Sequence, residues 1–208
     1  MMSEILKELS NHNDRHEERK ACLFRLIKMF RENTPTDWDE HFKTLLFLLL
    51  ETMGDNESEI RAQSLRVLQE LAKSQAPRFL EYTQLTILKV LEAHKDPEKS
   101  VIKAAEECSR VLTSTMPRKV CLKMLIDVIS DGTENQLCLP ALKMLIKLIK
   151  NSNRESIEAD VNNLCQALSI VVNHKESQVR KESVLCMVEL HKVIGEGIWS
   201  LLKLNNSQ

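Results

Sequence analysis

One helical frame recurs along the chain, and it constrains the fold more than any other feature of the sequence. Ile60, Ser64, Val67, Leu68 and Leu71 stand at offsets 0, 4, 7, 8 and 11. Those offsets trace one face of a helix with 3.6 residues per turn. The same frame fits Val179, Ser183, Cys186, Met187 and Leu190, and again Leu137, Ala141, Met144, Leu145 and Leu148. It fits Val101, Ala105, Cys108 and Leu112, with Ser109 as the misfit, and Leu23, Leu26, Ile27 and Phe30 counted from Arg19, where the zero position is polar. The frame origins are 19, 60, 101, 137 and 179, so the spacings are 41, 41, 36 and 42 residues. A period near 40 with two helices per unit predicts HEAT-type repeats.

Five such units use nearly all of the 208 residues. The expected architecture is all-α: one HEAT-repeat solenoid over residues 1–204, about five helical hairpins plus a short C-terminal helix, with a frayed tail at 205–208. With only 4 glycines and 5 prolines, a sheet protein rich in tight turns is not expected. The pattern predicts helices over 3–10, 15–32, 37–53, 79–94, 118–130, 155–173 and 176–194, with others opening near Asn56 and Asp96 and a last one over 198–204. Thr36 with Asp39, Asn56 with Glu59, and Asp96 before Pro97 are the expected start signals. Pro140 should kink its helix or delay its start. The helix over 37–53 is apolar around much of its circumference and is expected to be deeply sandwiched. Trp199 and Leu201 are expected to close the stack.

A formal net charge of -1 gives no global basic excess for gripping a nucleic-acid backbone. The longest apolar run, Leu45 to Leu50, is far short of the roughly 20 residues of a membrane span. Met1-Met2-Ser3-Glu4 has neither a basic region nor a signal-type apolar segment, so an intracellular protein is expected. Six cysteines without a C-x-x-C pair read as reduced core thiols. His12 and His16 have the spacing of two ligands on a helix turn but lack further partners at zinc-like spacing. Phosphate loops, dinucleotide fingerprints and hydrolase motifs are absent, so neither a cofactor, a metal nor catalysis is expected.

Function should therefore lie on the edges of the stack. Turns within repeats line up along one edge, with Asp55 and Glu57 set against Lys95, Lys99 and Lys175. The opposite, inter-repeat side offers Trp38 and Arg78 among other residues. Both are candidate docking surfaces for protein partners.

The segments Trp38-Asp39-Glu40-His41-Phe42-Lys43-Thr44-Leu45-Leu46 and Leu91-Glu92-Ala93-His94-Lys95-Asp96 carry a more specific signal. So do Ala104-Ala105-Glu106-Glu107, Val179-Arg180-Lys181-Glu182-Ser183-Val184 and Val193-Ile194-Gly195-Glu196. Together they resemble the C-terminal domain of the cytoplasmic-linker-associated (CLASP) family over roughly residues 12–204. The resemblance implies a TOG-like domain of a larger protein that tracks microtubule plus ends and stabilises spindle and kinetochore microtubules. It implies that this domain recruits CLIP-type plus-end proteins, kinetochore motors and cortical or Golgi adaptors, while other parts of the full-length protein hold the microtubule. Tubulin-binding TOG domains carry a Trp in their first intra-repeat turn and basic residues in later ones. Here those turns are Asn11-His12-Asn13 and Asp55-Asn56-Glu57, so an adaptor is expected rather than a tubulin binder. A tubulin-binding TOG domain and a HEAT-type regulatory scaffold of an enzyme complex are the alternatives.

Overall fold

The computed structural model describes residues 2–11, 15–132 and 136–203, and among them every regular element is helical. The elements divide into two compact units, one up to Met116 and one from Pro117.

In the first unit, α1 (Met2–Leu9) pairs with α2 (His16–Arg31) and α3 (Trp38–Thr52) pairs with α4 (Ser58–Ser74). A 3-10 segment, Ala76–Tyr82, leads into α5 (Thr83–Ala93), which pairs with α6 (Lys99–Thr115). The second helices α2, α4 and α6 lie side by side and hold most of the packing. Among the first helices, α1 packs on α3, whereas α3 and α5 scarcely touch. In the second unit, α7 (Arg118–Ser130) pairs with α8 (Cys138–Lys150). The short α9 (Arg154–Ile157), a 3-10 turn at Glu158–Asp160 and α10 (Val161–Val171) lead to α11 (Ser177–Ile194), and a 3-10 turn, Glu196–Ile198, follows it. There α8 packs on α11 and α7 on α10. The described residues thus form five helical hairpins, as the period predicts.

The recurring frame is the core. Ile60, Ser64, Val67, Leu68 and Leu71 are all buried, and so are Val179, Ser183, Cys186, Met187 and Leu190. Ser109, the misfit of its frame, is buried as well. All six cysteines are free and buried. Burial pushes the thiols of Cys108 and Cys121 up to about 12 and raises that of Cys186 too.

Several local expectations are corrected. Asp37, not Thr36, caps α3, accepting from the backbone N–H groups of Asp39 and Glu40 at 3.1 and 3.2 Å. The Asn56–Glu59 box does not form. Asp55 Oδ1 instead accepts from the Glu57 N–H, and Asp96 Oδ1 accepts from the Glu98 N–H, each at 2.9 Å. An aspartate two residues ahead of the turn's glutamate therefore shapes both turns. Pro140 delays rather than kinks: α8 begins at Cys138, so the ring sits in the first turn, where N–H groups lack intrahelical partners. Among the described residues beyond Gly195 the one regular element is a 3-10 turn, with Ile198 and Leu202 buried and Trp199 and Leu201 exposed. Gly195, at φ 94°, takes a backbone conformation that other residues rarely adopt, and α11 stops there.

Candidate functional site

The turns within repeats show why their charges were misread from sequence. Arg19 is completely buried, and its guanidinium meets Asp55, whose side chain is 5% exposed. Arg19 belongs to α2 and Asp55 to the turn of the following hairpin. One repeat later the arrangement recurs. Arg61 on α4 donates from Nε to Asp96 Oδ2 at 2.7 Å and from Nη2 to Oδ1 at 2.9 Å, a two-pronged fit of guanidinium on carboxylate. Its Nη1 donates to the carbonyls of Asp55 and Asn56, at 2.8 and 3.0 Å. The Arg61 guanidinium, with the Glu98 N–H, holds the Asp96 carboxyl below the usual carboxylate range. Asp55 and Asp96 are therefore internal pins between successive hairpins, not a solvated acidic ridge. Arg180 makes the same carbonyl cradle in the second unit, donating to His174 and Lys175 at 2.7 and 2.9 Å. There His174 stands where the aspartates stand, its Nδ1 taking the Glu176 N–H at 3.0 Å.

With the aspartates engaged, the exposed charge of the first-unit turns is mixed: Glu57 and Glu98 on one side, Lys95 and Lys99 on the other. Lys95 and Lys99 are exposed and have no ion-pair partner among the described residues. Lys175 is exposed too, but it lies in the other unit, and its place in its turn matches Pro97 rather than Lys95 or Lys99. The predicted trio is thus one lysine pair in one unit and a separate residue in the other.

Beside Lys95 is a cleft that the sequence did not reveal. It lies between the C-terminal half of α3 and the length of α5, with a volume of about 620 Å³. Leu50 and Met53 form buried parts of its wall, while Phe47, 42% exposed, and Leu85, 36% exposed, open onto it. Phe42, Leu45, Leu46, Leu49 and Leu50 of α3 are sandwiched as expected, but α5 does not close over Phe47. The Phe47 ring is steadied edge-on by Tyr82, with centroids 5.8 Å apart and an interplanar angle of 86°.

On the inter-repeat side, Trp38 is half-buried and stacks on Phe30 at 5.4 Å, lining a smaller hollow of about 270 Å³ with Pro35. Arg78 is exposed and binds Asp39. Arg78 thus reaches the residue that follows Trp38 on α3. Among the described residues no group of three or more His, Cys, Asp or Glu side chains is arranged to hold a metal ion. His12, with Asn13 and Asp14 of the first intra-repeat turn, lies outside the described residues. No helix among those described is long and apolar enough to cross a membrane.

The family model described as "Dynein axonemal assembly factor 5, HEAT-repeat domain" matches residues 38–204. The chain is 44% identical over 196 residues to CLIP-associating protein 1 of Xenopus tropicalis, covering 94% of this chain and 13% of that protein. It is 25% identical over 191 residues to the CLIP-associated protein of Arabidopsis thaliana, covering 91% of this chain and again 13% of the relative. It therefore spans about an eighth of the length of these curated relatives. Among solved structures, a TOG domain from C. elegans Zyg9 superposes with a TM-score of 0.78 at 14% identity, covering 97% of this chain and 76% of that one. The MAST/Orbit N-terminal domain superposes with a TM-score of 0.74 at 15% identity, covering 93% and 85%. Buried frames of period near 40, the paired helices and these likenesses converge: the chain belongs to the HEAT-repeat family described for dynein axonemal assembly factor 5, in a TOG-like form whose sequence relatives are the CLIP-associating (CLASP) proteins.

Proposed function

We propose that this chain is a non-catalytic docking domain of a microtubule-associated protein, recruiting protein partners to microtubules that other parts of the full-length protein hold. The observation that carries the reading is the 44% identity over 94% of the chain to a protein named for its association with CLIP. CLIP-type plus-end proteins are therefore the first partners to test, with kinetochore motors and cortical or Golgi adaptors next, and the working place is the microtubule cytoskeleton, including the spindle. The structure supplies what such a role needs: helices fixed by a packed core, and a preformed surface that loses little freedom on binding. Four of the five named residues fall into two candidate surfaces, Lys95 on the rim of the α3–α5 cleft with Lys99 on the first turn of α6, and Trp38 with Arg78 on the inter-repeat side, while Lys175 is a separate point in the second unit.

Direct binding of tubulin is the second reading. The TOG fold of the structural neighbours favours it, and the comparisons lend no support to the expectation against it. Immobilised chain, incubated separately with a purified CLIP-type protein and with free αβ-tubulin, separates the two. Retention of the CLIP-type protein with tubulin in the flow-through supports the docking domain. Stoichiometric retention of tubulin alone overturns it in favour of the second reading.

A further inference from the structure

We propose that the cleft between the C-terminal half of α3 and α5 takes a short amphipathic helix from a partner protein. Large apolar side chains of that helix pack against Phe47 and Leu85, and acidic residues at one end meet Lys95. This deepens the docking reading above and rests on it.

The shape follows from the packing. The second helices of the first unit lie against one another, but α3 and α5 do not, and the slot between them stays open. A slot of about 620 Å³ accommodates a few large aliphatic or aromatic side chains. Its apolar lining is in place before any partner arrives: Phe47 is held edge-on by Tyr82, and Leu50 and Met53 are fixed in the core.

The kind of backbone follows from what the walls lack. Both are helices whose N–H and C=O groups bond within the helix, so an added strand finds no edge to pair with. A helix brings its own backbone bonds and needs only a groove for one apolar face.

The sign of the charge follows from which groups are already engaged. Glu92 bonds Lys89 at 3.0 Å, Asp96 is held by Arg61, and Glu51 has an intramolecular contact of its own. Lys95 remains on the rim, exposed and without an ion-pair partner among the described residues. An acidic helix end is attracted there, while a basic one is repelled.

The test is a random-peptide phage library panned on the whole chain. Enriched peptides are then synthesised and titrated by fluorescence anisotropy against the wild type, Leu85→Ser, Lys95→Glu and a control in the other unit, Lys181→Glu. The expected peptides carry apolar residues at helical spacing and Asp or Glu at one end. Leu85→Ser and Lys95→Glu weaken binding about tenfold at unchanged melting temperature, and the control leaves it unchanged. A peptide with its acidic end changed to lysine regains affinity for Lys95→Glu. Failure to enrich any peptide, or equal binding by all variants, overturns the proposal. So does a wild-type dimer that Leu85→Ser dissociates, because the occupant is then a second copy. Capture of a CLIP-type protein by both wild type and cleft variants removes the cleft and keeps the docking function. Peptide binding at the cleft without capture of any CLIP-type protein does the reverse.

Discussion

Arg19 with Asp55 and Arg61 with Asp96 tie the first unit's hairpins together, although the sequence offers Asp55 as an edge charge and Asp96 as a helix start. Arg61 and Asp96 are only 13% and 10% exposed at their side chains and share two hydrogen bonds. Removing one member of a buried pair strands the other, at a cost of about 3–5 kcal/mol. Arg61→Ala is expected to lower stability by about that amount in a denaturant titration. The pair also fixes a pH dependence. The folded Asp96 carboxyl lies below its unfolded value of about 3.9 because Arg61 and the Glu98 N–H favour the charged form. Its contribution is then fully present above about pH 4 and is lost as pH falls through the folded value. Between pH 5 and 3 the melting temperature of the wild type should fall more steeply than that of Asp96→Asn, which starts lower. Periodicity could not reveal this, because it scores every charge as outward-facing. Arg19 at a frame origin, fully buried, was the visible sign of an exception. The thiols are the opposite case: their places on apolar faces were legible, and the structure buries all six. A disulfide exchange reagent at about pH 8 should leave the native thiols almost unreacted and titrate all six in denaturant, since the thiolate is the reacting species.

Among the elements, the helices were legible because long apolar periods specify them, and their ends were not, because caps depend on one or two side chains. The 3-10 stretch before α5 is the instructive miss. It reads as helix from Phe79 onward, yet the chain through Ala76–Tyr82 is wound more tightly before α5 begins. Phe79 is fully buried within it, edge-on to Phe42 at 5.0 Å with an interplanar angle of 82°. Phe79→Ala is expected to cost about 3–5 kcal/mol, read as a lower midpoint of unfolding. Replacing Leu80, its exposed neighbour, with Ala should cost under about 1 kcal/mol, so the pair of variants tests which face of the segment carries the load. The cleft was illegible for a related reason. Sequence gives α3 an apolar surface nearly all round, but only coordinates show that α5 leaves part of it uncovered.

For the whole chain, a net charge of -1 means that no long-range field gathers an acidic polymer or nucleic acid to it. Attraction comes from a few local lysines. Capture of a protein partner should therefore weaken only a few-fold between about 50 and 200 mM salt, as expected for one or two contacts, whereas a polyelectrolyte grip loses about 10³–10⁵ over that range. A steep salt dependence in the pull-down would point to a larger basic surface than Lys95 and Lys99 provide.

The hidden sulfurs also make this molecule unusually easy to observe. A single substitution such as Lys89→Cys, at a half-exposed residue of the lining, would place the one readily reactive thiol beside the cleft without deleting any native cysteine. A maleimide dye attached there would report arrivals by a change in its emission, in a background that stays dark.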